Sequence, residues 1–266
     1  HTPDTSSKIT ADNADPGSSL TIGYVSPDFR NHSVASFVGG LLESYDTDGF
    51  RVICYSDVAA PDDTTAQMQG SASGWRNVVG LNDVQLNELI RRDNVDILVD
   101  LAGHTANNRL CVFAQRAAPI QISWLGYGAT TGVAAMDYVL SDEWTDPAGN
   151  SESWFTETIL RIPAGFMCFT PPECELPIRG PDRPPTFGSF NNLSKINDDV
   201  VTLWADLLRK TPNSKLVLKS RQLDDGQTKS ALVGKFEALG VGSDRFSLEL
   251  TVIFGDGVIR RRFGCG

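Results

Sequence analysis

The chain has 266 residues, 41% hydrophobic and 21% charged, which fits one large soluble domain or two small ones. Asp and Glu outnumber Lys and Arg by 33 to 23, a net charge of −10 that argues against a nucleic-acid or anionic-membrane partner. A phosphorylated small ligand stays open, because a few local donors suffice to hold one.

No run of 18 apolar residues and no signal peptide is visible. The five cysteines are scattered without a C-x-x-C pair, and there are three histidines, so a zinc site is not expected and a reducing cytoplasm is. Residues 1–19 are polar and read as a leader or linker. Order is predicted to begin with a strand at Leu20–Val25. A helix capped by Asn31 or Ser33 follows to about Ser44, with Val34, Phe37, Val38, Leu41 and Leu42 near helical spacing. Phe50–Tyr55 is a second strand, 57–74 a polar loop, and Val78–Leu81 a short strand. Asn82 or Asp83 caps a helix carrying Leu86, Leu89 and Ile90. Asp96–Leu101 and Ile120–Leu125 are buried strands either side of a helix over 107–116, and Tyr138–Ser141 and Thr158–Ile162 add strands. Alternation of strand and helix means βαβ units and a parallel sheet.

Six prolines between 171 and 185, with Pro163 upstream, mark a linker between a first lobe, 20–170, and a second, 186–250. In the second lobe, strands at Thr186–Phe190, Lys215–Lys219 and Phe246–Leu250 alternate with helices at Asn197–Lys210 and Gln227–Leu239. Residues 251–266 break the pattern; their Arg260-Arg261-Arg262 run is read as non-functional, and the chain as a fragment. The fold class is therefore α/β and GT-B-like: two Rossmann-like lobes, the second incomplete.

In open α/β sheets ligands gather at the carboxyl ends of strands. Asp100 and His104 flank one such end, where the carboxylate can orient the imidazole or simply hold a turn. Gly126-Tyr127-Gly128 and Thr130-Thr131-Gly132 follow another; their glycines permit close approach, and their N–H groups can bind a phosphate or sugar hydroxyl. His32 follows the first strand, either lining the cleft or capping a helix. Asn192 and Lys195 follow the first strand of the second lobe. Asp46-Thr47-Asp48 beside Gly49 reads as a turn, and no metal is expected. No G-x-G-x-x-G follows a predicted strand, which weakens a dehydrogenase reading.

Taken together, 22–32 (IGYVSPDFRNH), the stretch 96–138, FGSFNNLSKI at 187–196, Leu203-Trp204 and 216–221 resemble the catalytic region of protein O-GlcNAc transferases, especially bacterial ones fused to tetratricopeptide repeats. The resemblance spans about 20–250. It implies transfer of N-acetylglucosamine from UDP-GlcNAc to Ser or Thr hydroxyls, with a UDP-sugar and a protein or peptide as partners and no other cofactor. It implies a cleft role beside the acceptor for His32 and donor binding by Lys195; His104 and Asp100 are taken as catalytic candidates with His32 from their strand end, and Gly126, Tyr127, Thr130 and Asn192 as donor-binding candidates with Lys195. His32, His104, Tyr127 and Lys195 are expected to converge on one cleft. The family's diphosphate-binding turn is not found after 250, so weak or no activity is expected of the chain as given. A UDP-glucose-dependent transferase acting on Asn, or a non-catalytic interaction module, are the alternatives.

Overall fold

The computed structural model describes residues 19–171 and 184–249; the leader, most of the proline-rich segment and the tail lie outside them. The chain divides into two compact units, His1–Pro172 and Glu173–Gly266.

The first unit is built on seven parallel strands: β1 (Leu20–Ser26), β2 (Phe50–Ser56), β3 (Gly74–Asn77), β4 (Ile97–Asp100), β5 (Ile120–Ser123), β6 (Tyr138–Ser141) and β7 (Thr158–Arg161). Their order is β3-β2-β1-β4-β5-β6-β7, so the winding reverses between β1 and β4. Four helices make the crossovers among β1 to β5: α1 (Ser33–Ser44), α2 (Asp63–Ser71), α3 (Asp83–Arg92) and α4 (Leu110–Ala114).

Strand parity divides the core, because successive side chains face opposite ways. Tyr24, Val52, Cys54 and Val99 join Val34, Val38 and Leu42 of α1 and Met68 of α2 in one buried cluster. Val25, Ile53, Tyr55 and Leu98 join Leu86 and Ile90 of α3 and Val112 and Phe113 of α4 in the other. Both faces are covered, which is why these strands read as continuous apolar runs.

Two local expectations are corrected. The polar stretch 57–74 contains α2, which buries only Thr65 and Met68 and is held by a capping box between Asp62 and Thr65. The third strand is Gly74–Asn77, paired in register with Ile53–Ser56, and not 78–81. Val78 is still buried, its N–H given to the Ser56 carbonyl. Asp46 accepts the Asp48 N–H and closes a turn into β2.

The second unit has three parallel strands, β8 (Thr186–Ser189), β9 (Lys215–Lys219) and β10 (Phe246–Glu249), in the order β10-β9-β8. Helices α5 (Asp198–Lys210) and α6 (Gly226–Ala238) pack on them through Val201, Ala205 and Leu208, and Leu232 and Phe236. Asn197 caps α5, with acids in its first turn and Arg209 and Lys210 in its last, complementing the helix dipole.

Candidate functional site

The reversal between β1 and β4 is a topological switch point, the place where open α/β sheets bind their ligands. The β1 loop carries His32, and β4 ends at Asp100 and leads to His104.

His32 is itself the cap of α1, one of its two readings, and the cap is neither Asn31 nor Ser33. Its Nδ1 accepts the Val34 N–H at 3.3 Å and lies 3.8 Å from an Asp28 carboxylate oxygen. An acceptor Nδ1 puts the hydrogen of the neutral ring on Nε2, so the capped ring offers a donor and not a base. The loop is anchored from α2: Asp62, the α2 cap, also accepts the Asn31 N–H at 2.7 Å. Burial raises the pKa of Asp62, but the Asn31 and Thr65 bonds outweigh it and the net shift is downward. Asp62 was missed in the sequence; its one signal was the Asp-x-x-Thr spacing of a cap.

Asp100 is 1% exposed. Its two oxygens accept the Ala102 and Gly103 N–H groups at 3.1 and 2.7 Å. Burial pushes its pKa up to about 6, against the pull of those amides and of His104. Of the two readings of Asp100, orienting His104 or holding a turn, the structure gives the turn, which competes successfully because the amides are two and three residues away.

His104 instead places Nε2 2.8 Å from the Thr131 carbonyl, and the Tyr127 ring stands edge-on to it with centroids 5.2 Å apart. A carbonyl only accepts, so Nε2 carries the hydrogen. Among the described residues Nδ1 of His104 has no hydrogen-bond partner. This approach of the β4 and β5 loops depends on glycine. A Cβ on Gly126 would lie 1.9 Å from the Leu101 carbonyl oxygen, and one on Gly103, at φ +55°, 2.2 Å from the Tyr127 Cβ.

Thr130, expected to bind the donor, has its hydroxyl engaged: it donates to Glu157 at 2.7 Å and accepts the Gly132 and Thr156 N–H groups at 3.0 and 3.2 Å. Glu157 was missed altogether, because no spacing links it to 130–131.

In the second unit, Asn192 ties two strand ends together. Its side-chain oxygen accepts the Ser194 N–H at 3.0 Å and the Gln222 amide at 2.5 Å, joining the loops after β8 and β9. Lys195 ends the 3-10 turn that starts at Leu193 and is exposed. Beside that turn lies a hollow of about 240 Å³ lined by Leu193, Ile196, Ala231 and Leu232.

Among the described residues no group of three or more His, Cys, Asp or Glu is placed to hold a metal ion, and no helix is long and apolar enough to cross a membrane.

A model of glycosyl transferase family 41 matches residues 3–169. The chain is 36% identical over 249 residues to the "Probable UDP-N-acetylglucosamine--peptide N-acetylglucosaminyltransferase SPINDLY" of Arabidopsis thaliana, covering 90% of this chain and 27% of that protein. To the protein of the same name in Hordeum vulgare it is 40% identical over 241 residues, 86% of this chain and 25% of that one. Among solved structures, a Thermobaculum terrenum O-GlcNAc transferase mutant aligns with TM-score 0.83 and 39% identity over 90% of this chain and 46% of its own. The lipopolysaccharide outer core galactosyltransferase WaaB aligns with TM-score 0.52 at 12% identity over 87% of this chain and 68% of its own, a likeness of fold alone. The fold is thus GT-B-like. The chain spans about a quarter of the length of the curated relatives it matches.

Proposed function

The chain belongs to glycosyl transferase family 41, and from that premise we propose that it carries catalytic-region residues of an enzyme moving N-acetylglucosamine from UDP-GlcNAc to Ser or Thr hydroxyls of proteins. In that reaction the acceptor oxygen forms a bond to the sugar C1, and the bond from C1 to the β-phosphate oxygen breaks. UDP leaves with the electron pair, and the hydroxyl proton passes to a base. Three needs follow: a proton acceptor, cationic or N–H groups for the departing diphosphate, and a platform for the sugar.

The first unit supplies the acceptor side. His104 offers Nδ1 as the proton acceptor, because its Nε2 hydrogen is committed to Thr131. His32 offers its Nε2 hydrogen as a donor that orients a substrate oxygen. Tyr127, 37% exposed, gives an aromatic face next to His104, and Gly126 lets the β4 and β5 loops pack closely enough to keep it there. Asp100 and Thr130 act by holding the two loops. The second unit supplies Lys195 for the diphosphate, on the turn that Asn192 braces.

The observation that carries the reading is the partnering of His104, which leaves one ring nitrogen as an acceptor on the carboxyl edge of the sheet. A cytoplasmic setting and tetratricopeptide repeats elsewhere in the parent protein are part of the proposal; the free thiols of Cys54, Cys111 and Cys168 fit a reducing compartment.

The test is transfer of labelled sugar to a Ser/Thr peptide from UDP-GlcNAc and, in parallel, UDP-glucose, with UDP binding followed by calorimetry. Expected are preference for UDP-GlcNAc and a loss of UDP affinity in Lys195→Ala. Undiminished UDP affinity in that variant, or preference for UDP-glucose, overturns the donor assignment.

A further inference from the structure

Glu157, immediately before β7, is 5% exposed and lies 53 residues beyond His104 in the chain, yet a short bonded path joins them. One of its carboxylate oxygens accepts the Thr131 N–H at 2.7 Å and also the Thr131 hydroxyl. The other accepts the Thr130 hydroxyl at 2.7 Å and the Thr156 hydroxyl at 3.2 Å. Burial raises the pKa of Glu157, but the Thr131 and Thr130 bonds outweigh it and the net shift is downward, so the group is an anion at neutral pH.

The peptide plane between Thr131 and Gly132 is pinned on both sides. Its carbonyl faces His104 Nε2 at 2.8 Å, and its N–H is given to the Thr130 hydroxyl oxygen at 3.0 Å. A peptide unit is rigid, so fixing the N–H fixes the direction of the carbonyl. The hydroxyl that fixes it is itself oriented by Glu157: it accepts the Gly132 and Thr156 N–H groups, and of the two acceptors in reach of its own hydrogen the charged carboxylate at 2.7 Å is nearer and stronger than the Thr156 hydroxyl at 3.1 Å, which itself donates to Glu157.

We propose that Glu157 is the positioning residue of His104, acting through the Thr130 hydroxyl and the Thr131 carbonyl to keep the imidazole hydrogen on Nε2 and Nδ1 free to accept. A buried carboxylate commonly holds a catalytic imidazole in one tautomer by direct contact. Here Asp100 is spent on its own turn, and Glu157 does this at one remove. The inference rests on the reading of His104 as the proton acceptor.

Glu157→Gln is the discriminating variant. Whichever way its amide is turned, an NH2 group meets either the Thr130 hydroxyl hydrogen or the Thr131 N–H, donor against donor. Thr130→Val is the second variant, for use if the first does not fold; it keeps the carboxylate but releases the Gly132 N–H. The imidazole nitrogen NMR shifts of His104 are read in the chain without donor, and transfer from UDP-GlcNAc is measured alongside. Expected is a single Nε2–H tautomer in the wild type and a mixed population in the variants. The variants' kcat should fall about tenfold, with little change in KM for the donor, the size of effect of a lost charge-assisted hydrogen bond. An unchanged Nε2–H tautomer in the folded variants overturns the inference. A mixed tautomer with unchanged kcat leaves Glu157's hold on the ring standing and overturns instead the role given to His104.

Discussion

The two histidines on the carboxyl edge of the first sheet follow neighbouring strands, β1 and β4, and are held in opposite ways. His32 spends Nδ1 as an acceptor for the first turn of α1, and the hydrogen left to it is on the outer nitrogen. His104 spends its hydrogen on a main-chain carbonyl and keeps an acceptor. The same residue type, one strand apart, is thus a donor in one place and an acceptor in the other. What differs is the partner: a helix start presents N–H groups, whereas the strap at Thr130–Gly132 presents a carbonyl.

The contrast can be broken first at the glycines of the His104 side. Gly126→Ala forces a Cβ into the Leu101 carbonyl, a main-chain group that cannot swing aside as a side chain would. A loss of about 3 kcal/mol or more in urea unfolding is expected, the upper range of overpacking. A loss under about 1 kcal/mol would mean that the β4 and β5 loops can separate freely, and the held state of His104 would lose its basis.

Asp100 gives the next largest effect, on pH dependence. Its folded pKa of about 6 lies above the unfolded value, so the folded state binds more protons in between. The stability this group contributes is fully present below the unfolded pKa near 4 and is lost as pH rises through about 6, a difference of about 3 kcal/mol. Other carboxylates, among them Asp62 and Asp93, are shifted down and slope the other way. The readout is therefore the wild type minus Asp100→Asn difference, from urea titrations at pH 4 and pH 7. It should favour the wild type more at pH 4 than at pH 7; a pH-independent difference refutes the shift.

In transfer, His104→Ala should lower kcat about a hundredfold, the low end for loss of a general base. His32→Ala should lower it less. If kcat falls further in folded His32→Ala than in His104→Ala, the roles of the two rings are reversed. The smallest effect is on the His32 side: removing the cap in His32→Ala should cost about 1 kcal/mol, and His32→Asn should recover most of it. Equal stability of the two variants would show that the 3.3 Å bond to Val34 contributes nothing.

Some of this was legible in the sequence, and for a local reason. The buried strands at 97–100 and 120–123 were visible as apolar runs, and Asn82 as one of two candidate caps, because period and capping are set by residues a few places apart. Helix α2 was not visible: its apolar content is too low to show a stripe, and what holds it is the Asp62–Thr65 cap and two buried side chains. The third strand was misplaced by four residues, because register against Ile53–Ser56, rather than apolar content, chose Gly74–Asn77.

The candidate site divides along the same line. By itself the sequence determined which strand ends carry His32, Asp100, His104, Tyr127 and Lys195, since each follows an element readable from its own residues. Only the tertiary structure decided what each group bonds to. It gave Asp100 to the Ala102 and Gly103 amides, His104 to the Thr131 carbonyl, and Thr130 and Thr131 to Glu157. The partners of His104 and Glu157 include main-chain groups, which every residue carries, 26 and 27 positions away. A carbonyl or an N–H leaves no mark in a side-chain pattern, so a ring's tautomer and a carboxylate's neighbours become readable only once the chain has folded.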